Sequence, residues 1–234
     1  MKKRIWELDA LRGLCIIGVV IVHLLYDLVE LFAIVDWHYP QWFLFVCNWG
    51  SVLFFLISGI CVTLGSRSVR RGLIVVGGGM LCTLVTYGMY KFGGFHKSIM
   101  IYFGVLHCLG SCMLLWPLVK RLPTWMLAVL AVALVALGLH IDTIPVENPW
   151  LTVLGFPCPG MGASDHFPLL PYFGYFLAGA AIGRWVYRKR ESLLPSWEGH
   201  GLLRPFCFCG RHSLWIYLAH QPVAAGICYL LMLF

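Results

Sequence analysis

Seven stretches of this chain are each apolar over a length that a small soluble core cannot absorb. They fall at about 10–32, 42–64, 71–91, 99–119, 124–141, 168–187 and 213–233. About 20 apolar residues in helical form cross the hydrocarbon core of a bilayer. The composition agrees: of 234 residues, 60% are hydrophobic and 12% are charged, against about 25% charged in a typical soluble domain. This excludes an ordinary soluble enzyme, a nucleic-acid-binding domain and a disordered regulator. The expected fold is all-α, a polytopic membrane helix bundle of about seven transmembrane helices in a single domain, 1–234. Pro123-Thr124, Pro168 and Ser213 mark starts of the last three spans. Gly77-Gly78-Gly79 predicts a kink in the third span or a close approach to it. The loop at 142–167, rich in Pro and Gly, reads as an ordered lid or vestibule.

The formal net charge is +7, and its placement carries the topology. With a cytoplasmic N-terminus, that side holds Lys2, Lys3, Arg4, Arg12, Arg67, Arg70, Arg71, Lys120, Arg121, Arg184, Arg188, Lys189, Arg190, Arg204 and Arg211. Only Lys91 and Lys97 fall opposite, a split of 15 to 2. The positive-inside rule then gives an N-terminus inside, seven helices and a C-terminus outside. The basic excess is thus a topology signal with anionic lipid as its partner; nucleic acid is not expected. The first apolar run lacks a cleavage site and reads as a retained helix. Compact size and that retained N-terminus suit a bacterial inner membrane. Cys15, Cys61, Cys82, Cys108, Cys112 and Cys228 lie in apolar runs and read as small hydrophobes. The Cys207-x-Cys209 pair is too short for a zinc site, and no metal is expected.

Ionisable groups within spans are costly, which makes them functional candidates. Arg12 and His23 are eleven residues apart, three helical turns, so they share a face about 16 Å apart along the axis. Asp27 follows His23 by four residues on the same face. A carboxylate beside an imidazole fixes its tautomer and raises its basicity, as a general base requires. His107 and His220 lie at similar depth in the fourth and seventh spans, which suggests one polar cavity. Ser213, Tyr217 and His220 share a face, with Gln221 beside it. Asp165 and His166 precede the sixth span. The basic group Arg67, Arg70 and Arg71 could clamp phosphates.

The stretch RIWELDALRGLCIIGVVIVHLLYDL (4–28) resembles the first helix of the transmembrane acyltransferase superfamily. More narrowly, it resembles bacterial proteins with a heparan-alpha-glucosaminide N-acetyltransferase-like catalytic domain. Arg12-x10-His23 matches the superfamily spacing, and Tyr26-Asp27-Leu28 fits the narrower group. FFLISG (54–59) with Arg67-x-x-Arg70 resembles the second helix and arginine motif of acyltransferase-3 proteins. VLHCLG (105–110), DHFPLLPYFGYFLAGAAIGR (165–184) and GRHSLWIYLAHQPV (210–223) resemble later blocks of the narrower family. The resemblance implies a membrane acetyltransferase taking acetyl groups from cytosolic acetyl-CoA, its donor substrate, to a glycan amine or hydroxyl across the membrane.

On that resemblance Arg12, Arg67, Arg70, Arg71, Arg211 and Ser213 would hold CoA. His23, Asp27 and His220 would be catalytic, with His23 as general base or acyl carrier. His107, Asp165, His166, Tyr217 and Gln221 would bind the acceptor. Seven spans is short for the superfamily, so helices that line the acceptor site there are either missing here or supplied by a second copy of the chain. Two alternatives compete: a haem protein ligated by histidine pairs and a proton-coupled transporter. The first gives Arg12 and Asp27 no role, and the second lacks inverted repeats.

Overall fold

The computed structural model describes residues 4–232; Lys2, Lys3 and Leu233, which enter the expectations above, lie outside them. Among the described residues the regular secondary structure is helical, with one isolated bridge pairing Phe103 and His166. The helices are α1 (Trp6–Tyr26), α2 (Gln41–Leu64), α3 (Ser68–Phe92), α4 (Val105–Val119), α5 (Thr124–Ile141), α6 (Leu169–Val186), α7 (Arg204–Arg211) and α8 (Ser213–Met232). By length and composition, five are fit to cross a membrane: α1 with the turn that extends it, α2, α3, α5 and α8. α4, apolar but only 15 residues long, and α6 fall outside that set. The chain is an all-α membrane protein. It divides into two compact units, residues 1–54 with 189–234, and residues 55–188.

In the first unit α1 packs on α7 and α8. Without a hydrophobic drive between helices in lipid, small residues that let backbones approach carry much of the packing. The α1–α7 crossing shows it: a Cβ on Gly13 would overlap the Phe206 carbonyl oxygen, and one on Gly210 would overlap that of Asp9. The chain leading into α7 is tied to the start of α1 by Glu7, whose buried carboxylate accepts from Ser192 Oγ at 2.9 Å and Leu193 N–H at 2.8 Å. Trp6 Nε1 adds a bond to the Leu194 carbonyl at 3.1 Å. At its far end α1 continues into a π-helical turn, Asp27–Leu31, closed by Phe32 N–H on the Asp27 carbonyl at 2.9 Å.

The second unit contains the rest of α2 and α3 to α6. Its α2–α6 crossing is also built on glycine. A Cβ at Gly59 would overlap the Phe176 carbonyl oxygen, and one at Gly179 would overlap that of Leu56. Gly72 and Gly110 do the same between α3 and α4. The expected kink at Gly77–Gly79 is absent, since α3 runs unbroken. Close approach is the reason for one of these glycines, because a Cβ on Gly79 would sit 2.9 Å from His107 Nδ1, while Gly77 faces open space.

Two boundaries differ from expectation. The fourth helix begins at Val105 rather than near residue 99. The Ile101 N–H bonds Thr86 Oγ1 at 3.2 Å and its carbonyl accepts from Thr83 Oγ1 at 2.7 Å, so this backbone is committed to side chains of α3. In α6, Leu170 is extended at φ −108°, ψ 130°, as the residue before a proline prefers. The short helix α7 was not expected at all. The 142–167 loop is ordered by internal bonds: Asn148 caps a 3-10 turn at Pro149–Val153, and Val146 N–H bonds the Pro157 carbonyl at 2.9 Å.

Candidate functional site

α1 and α8 bring together four of the expected residues within the first unit. His23 and His220 meet edge to face, ring centroids 4.8 Å apart at 86°. Gln221 Nε2 donates to Asp27 Oδ1 at 2.7 Å. Asp27 has no exposed surface, and His220 is 8% exposed. Tyr217 joins through its carbonyl, and its ring lies 5.1 Å from that of His220.

The hydrogen bonds assign the tautomers. His23 Nδ1 lies 2.9 Å from the Val19 carbonyl, one turn back on the same helix. A carbonyl can only accept, so Nδ1 carries the proton and Nε2 holds a lone pair. His220 Nδ1 faces the Tyr217 carbonyl in the same way. The expected His23–Asp27 bond is therefore not made. The backbone of α1 fixes the His23 tautomer, and Asp27 turns to α8 for its partner. The i,i+4 spacing puts the two on one face, but it cannot say which of two competing acceptors the imidazole takes.

Three buried atoms of this cluster have no hydrogen-bond partner among the described residues: Asp27 Oδ2, His220 Nε2 and Gln221 Oε1. All three are acceptors. Buried polar atoms in folded proteins are nearly all satisfied, so unsatisfied groups gathered in one place point to a reaction or ligand site. With their Nδ1 atoms engaged, the two histidines offer Nε2 lone pairs for proton abstraction. The touching rings also leave no room for a porphyrin between them, which removes the pair as axial haem ligands. Among the described residues no group of three or more His, Cys, Asp or Glu is arranged to hold a metal.

At the other end of α1, Arg12 Nη1 lies 3.7 Å from Asp9 Oδ1 and 3.4 Å from the Gly210 carbonyl. Arg211 Nε bonds the Cys207 carbonyl at 3.0 Å, and Ser213 opens α8. Of the two carboxylates that organise this end, Asp9 stands out in the sequence only as a polar residue of the first helix, without a role, and Glu7 does not stand out. The signal was their place in the first turn of α1, where carboxylates suit the positive end of the helix dipole.

In the second unit, Arg67 precedes α3, Arg70 and Arg71 lie in its first turn, and all three are exposed. Cations at a helix N-terminus oppose the dipole, so this group gains from an anion that answers both. His107 is buried and committed at both nitrogens. Nδ1 accepts from Gly104 N–H at 3.2 Å, and Nε2 lies 3.3 Å from Thr83 Oγ1. Asp165 Oδ2 accepts from Val105 N–H at 3.2 Å. These two residues close the N-terminal end of α4, and His166 is exposed beside them. The expected gathering of His107 with His23 and His220 is not among the geometry within either unit.

No disulfide joins any of the ten cysteines. Burial pushes the Cys207 thiol up from its ordinary value, and its sulfur lies 3.6 Å from the Trp6 carbonyl.

No curated protein and no solved structure matches the chain. One family does: the catalytic domain of heparan-alpha-glucosaminide N-acetyltransferase matches residues 4–222. That span contains the histidine pair, the Asp27–Gln221 bond and every arginine discussed above. The chain belongs to this family of membrane acetyltransferases.

Proposed function

We propose that the protein transfers an acetyl group from acetyl-CoA to an amine or hydroxyl of a glycan acceptor. The observation that carries this reading is the paired imidazoles of His23 and His220, each with Nδ1 held by a backbone carbonyl and Nε2 left as a base, on the same two helices as the buried Asp27–Gln221 bond. The acceptor's nitrogen or oxygen attacks the thioester carbonyl while His23 Nε2 takes its proton. The tetrahedral intermediate collapses with cleavage of the C–S bond, and CoA leaves as thiolate, protonated from the imidazolium. His220 supports the proton transfer. Asp27, steadied by Gln221, favours the transient positive charge. Tyr217 and Gln221 position the acceptor. His107, Asp165 and His166 are assigned to acceptor binding in the second unit.

Arg12, Arg211 and Ser213 are assigned to phosphate binding in the first unit, and Arg67, Arg70 and Arg71 in the second. One domain, seven spans, a cytoplasmic N-terminus and a bacterial inner membrane complete the reading, supported by the charge split along the sequence. A second copy of the chain remains the proposed source of additional helices.

The test is acetyl transfer by the purified chain, with acetyl-CoA binding measured by calorimetry on the same samples. His23→Ala abolishes transfer and leaves acetyl-CoA affinity within a few fold. Arg12→Ala and Arg67→Ala/Arg70→Ala weaken binding. Retained transfer without His23 removes it from the chemistry, and a folded wild-type chain that binds no acetyl-CoA overturns the reading.

A further inference from the structure

From its sequence, the stretch between the sixth and seventh spans reads only as a basic connection. Its backbone is instead compact and tied down. Two 3-10 turns, Pro195–Trp197 and Gly201–Leu203, lead into α7. Trp197 N–H bonds the Leu194 carbonyl at 3.1 Å, and Leu203 N–H bonds that of His200 at 3.0 Å. The bonds at Glu7 and Trp6 described above fasten Ser192, Leu193 and Leu194 to the first turn of α1. That attachment fixes a depth. α1 with its extension has 26 residues, about 39 Å at 1.5 Å per residue, against about 30 Å of hydrocarbon. It overreaches the hydrocarbon, and the end bearing Trp6, Glu7 and Asp9 lies in the polar interface. Residues 192–194 lie there with it.

At that depth the segment combines two chemistries. Leu193, Leu194, Trp197, Leu202 and Phe208 each keep half or more of their surface exposed. So dense an apolar set is costly in water and suits acyl chains. Beside it is a cavity of about 240 Å³ lined by Arg4, Trp6, His200, Arg204 and Arg211. The Trp197 and His200 rings, 5.5 Å apart, join the apolar set to the cavity wall. Asp9 and Glu198 also line it, and Arg4 Nη1 lies 4.0 Å from Asp9 Oδ2. Asp9 is shared with Arg12, so four guanidinium groups stand against two carboxylates. A phosphate evens that balance. The volume falls below the about 300 Å³ at which small-molecule sites usually begin. It suits the phosphodiester of a head group better than a nucleotide.

We propose that this segment is an in-plane anchor that docks on an anionic phospholipid. Arg4 and Arg204 hold the lipid phosphate, while Trp197, Leu202 and Phe208 enter the acyl region beside it. A phospholipid offers both halves at this depth, a phosphate at the surface and hydrocarbon next to it. A choline or ethanolamine head group would bring a cation to a site already rich in arginine, so the anionic lipid is preferred. The proposal stands apart from the transferase reading, in which Arg4 and Arg204 have no part.

The experiment uses the full chain in nanodiscs of mixed phosphatidylglycerol and phosphatidylcholine, with native mass spectrometry reading which lipid the released protein retains. The wild-type chain retains phosphatidylglycerol over phosphatidylcholine by about fivefold, and Arg4→Gln/Arg204→Gln brings the ratio to within about twofold. Lys120→Gln/Arg121→Gln, the same charge change at exposed positions of the second unit, leaves it unchanged. Arg204 Nε also bonds the Gly199 carbonyl at 3.3 Å. Arg204→Lys gives up that bond, keeps the charge and retains the preference. Equal retention of both lipids by the wild type overturns the head-group site. So does an equal fall in the Lys120/Arg121 control or in Arg204→Lys. Loss of the preference on adding inorganic phosphate or acetyl-CoA gives the cavity to a soluble phosphate and overturns it too. Depth is read by fluorine NMR on the chain carrying fluorotryptophan, with the Trp197 line assigned by its absence from Trp197→Phe. A lipid nitroxide near the ester carbonyl broadens that line, and a water-soluble gadolinium chelate spares it. The reverse overturns the anchor.

Discussion

The Asp27–Gln221 bond joins α1 to α8 at the centre of the proposed site, and its strength can be measured directly. A double-mutant cycle with Asp27→Ala, Gln221→Ala and the pair isolates the coupling, because cavity and packing losses of each truncation largely cancel. Two magnitudes compete. Neutral side-chain hydrogen bonds between membrane helices average about 0.6 kcal/mol and reach about 1.7. Hydrogen bonds to a charged group contribute about 1.5–3 kcal/mol. Asp27 has no exposed surface, a single 2.7 Å bond on one oxygen and no partner among the described residues on the other. A carboxylate so placed leans heavily on its one donor, and we expect a coupling of about 2 kcal/mol. The assay is unfolding in bicelles by titration with dodecyl sulfate, followed by circular dichroism, for all four proteins. A coupling of about 0.6 kcal/mol or less would refute the charged pair and reduce the contact to an ordinary interhelical bond.

Other outcomes follow from the packing and the side-chain partners. Gly179→Leu drives a side chain into the Leu56 carbonyl and prevents recovery of monodisperse protein, whereas Gly77→Ala, facing open space, raises stability by about 0.5–1 kcal/mol. Size-exclusion profiles and thermal unfolding decide between them, and a well-behaved Gly179→Leu would mean the α2–α6 crossing is looser than described. His107→Ala leaves Gly104 N–H without its acceptor and lowers stability by about 1–3 kcal/mol; an unchanged melting temperature would return His107 to the list of free site residues. Alkylation reports Cys207. Its raised pKa means less thiolate at pH 7.5, so it reacts more slowly than Cys209 and speeds up only at higher pH. Mass spectrometry showing Cys207 modified first would contradict its burial.

The all-α class, the positions of the apolar helices and the α1 stripe were legible because each rests on a local period. His23, Asp27, His220 and Gln221 could be nominated from their helix faces. Their pairing could not, because it depends on how α1 and α8 are rotated against each other. Sequence spacing favoured Asp27 as the partner of His23, yet the Val19 carbonyl, four residues away on the other side, accepts the Nδ1–H hydrogen bond. The late start of α4 was hidden for a similar reason: Thr83 and Thr86 capture the backbone of Ile101 from a helix fifteen or more residues earlier. The segment at 192–203 was overlooked since it interrupts every period. Leu193, Leu194, Trp197 and Leu202 between Arg190 and Arg204 was the available signal, a density of apolar groups unusual for a basic connection.

The π-helical turn at Asp27–Leu31 also sets a register. An α-helix advances about 100° per residue, and one turn widened to i→i+5 bonding delays every later side chain relative to that count. Asp27 thus keeps the phase of His23 and looks toward α8, while Glu30 and the residues after it are turned to a different bearing. Shortening this turn by one residue would restore an even spiral and carry the whole 30–39 segment around the axis without moving the histidine pair. The turn acts as an adjustable joint between two fixed parts, so small insertions or deletions here would change what the outer segment meets and leave the buried chemistry as it is.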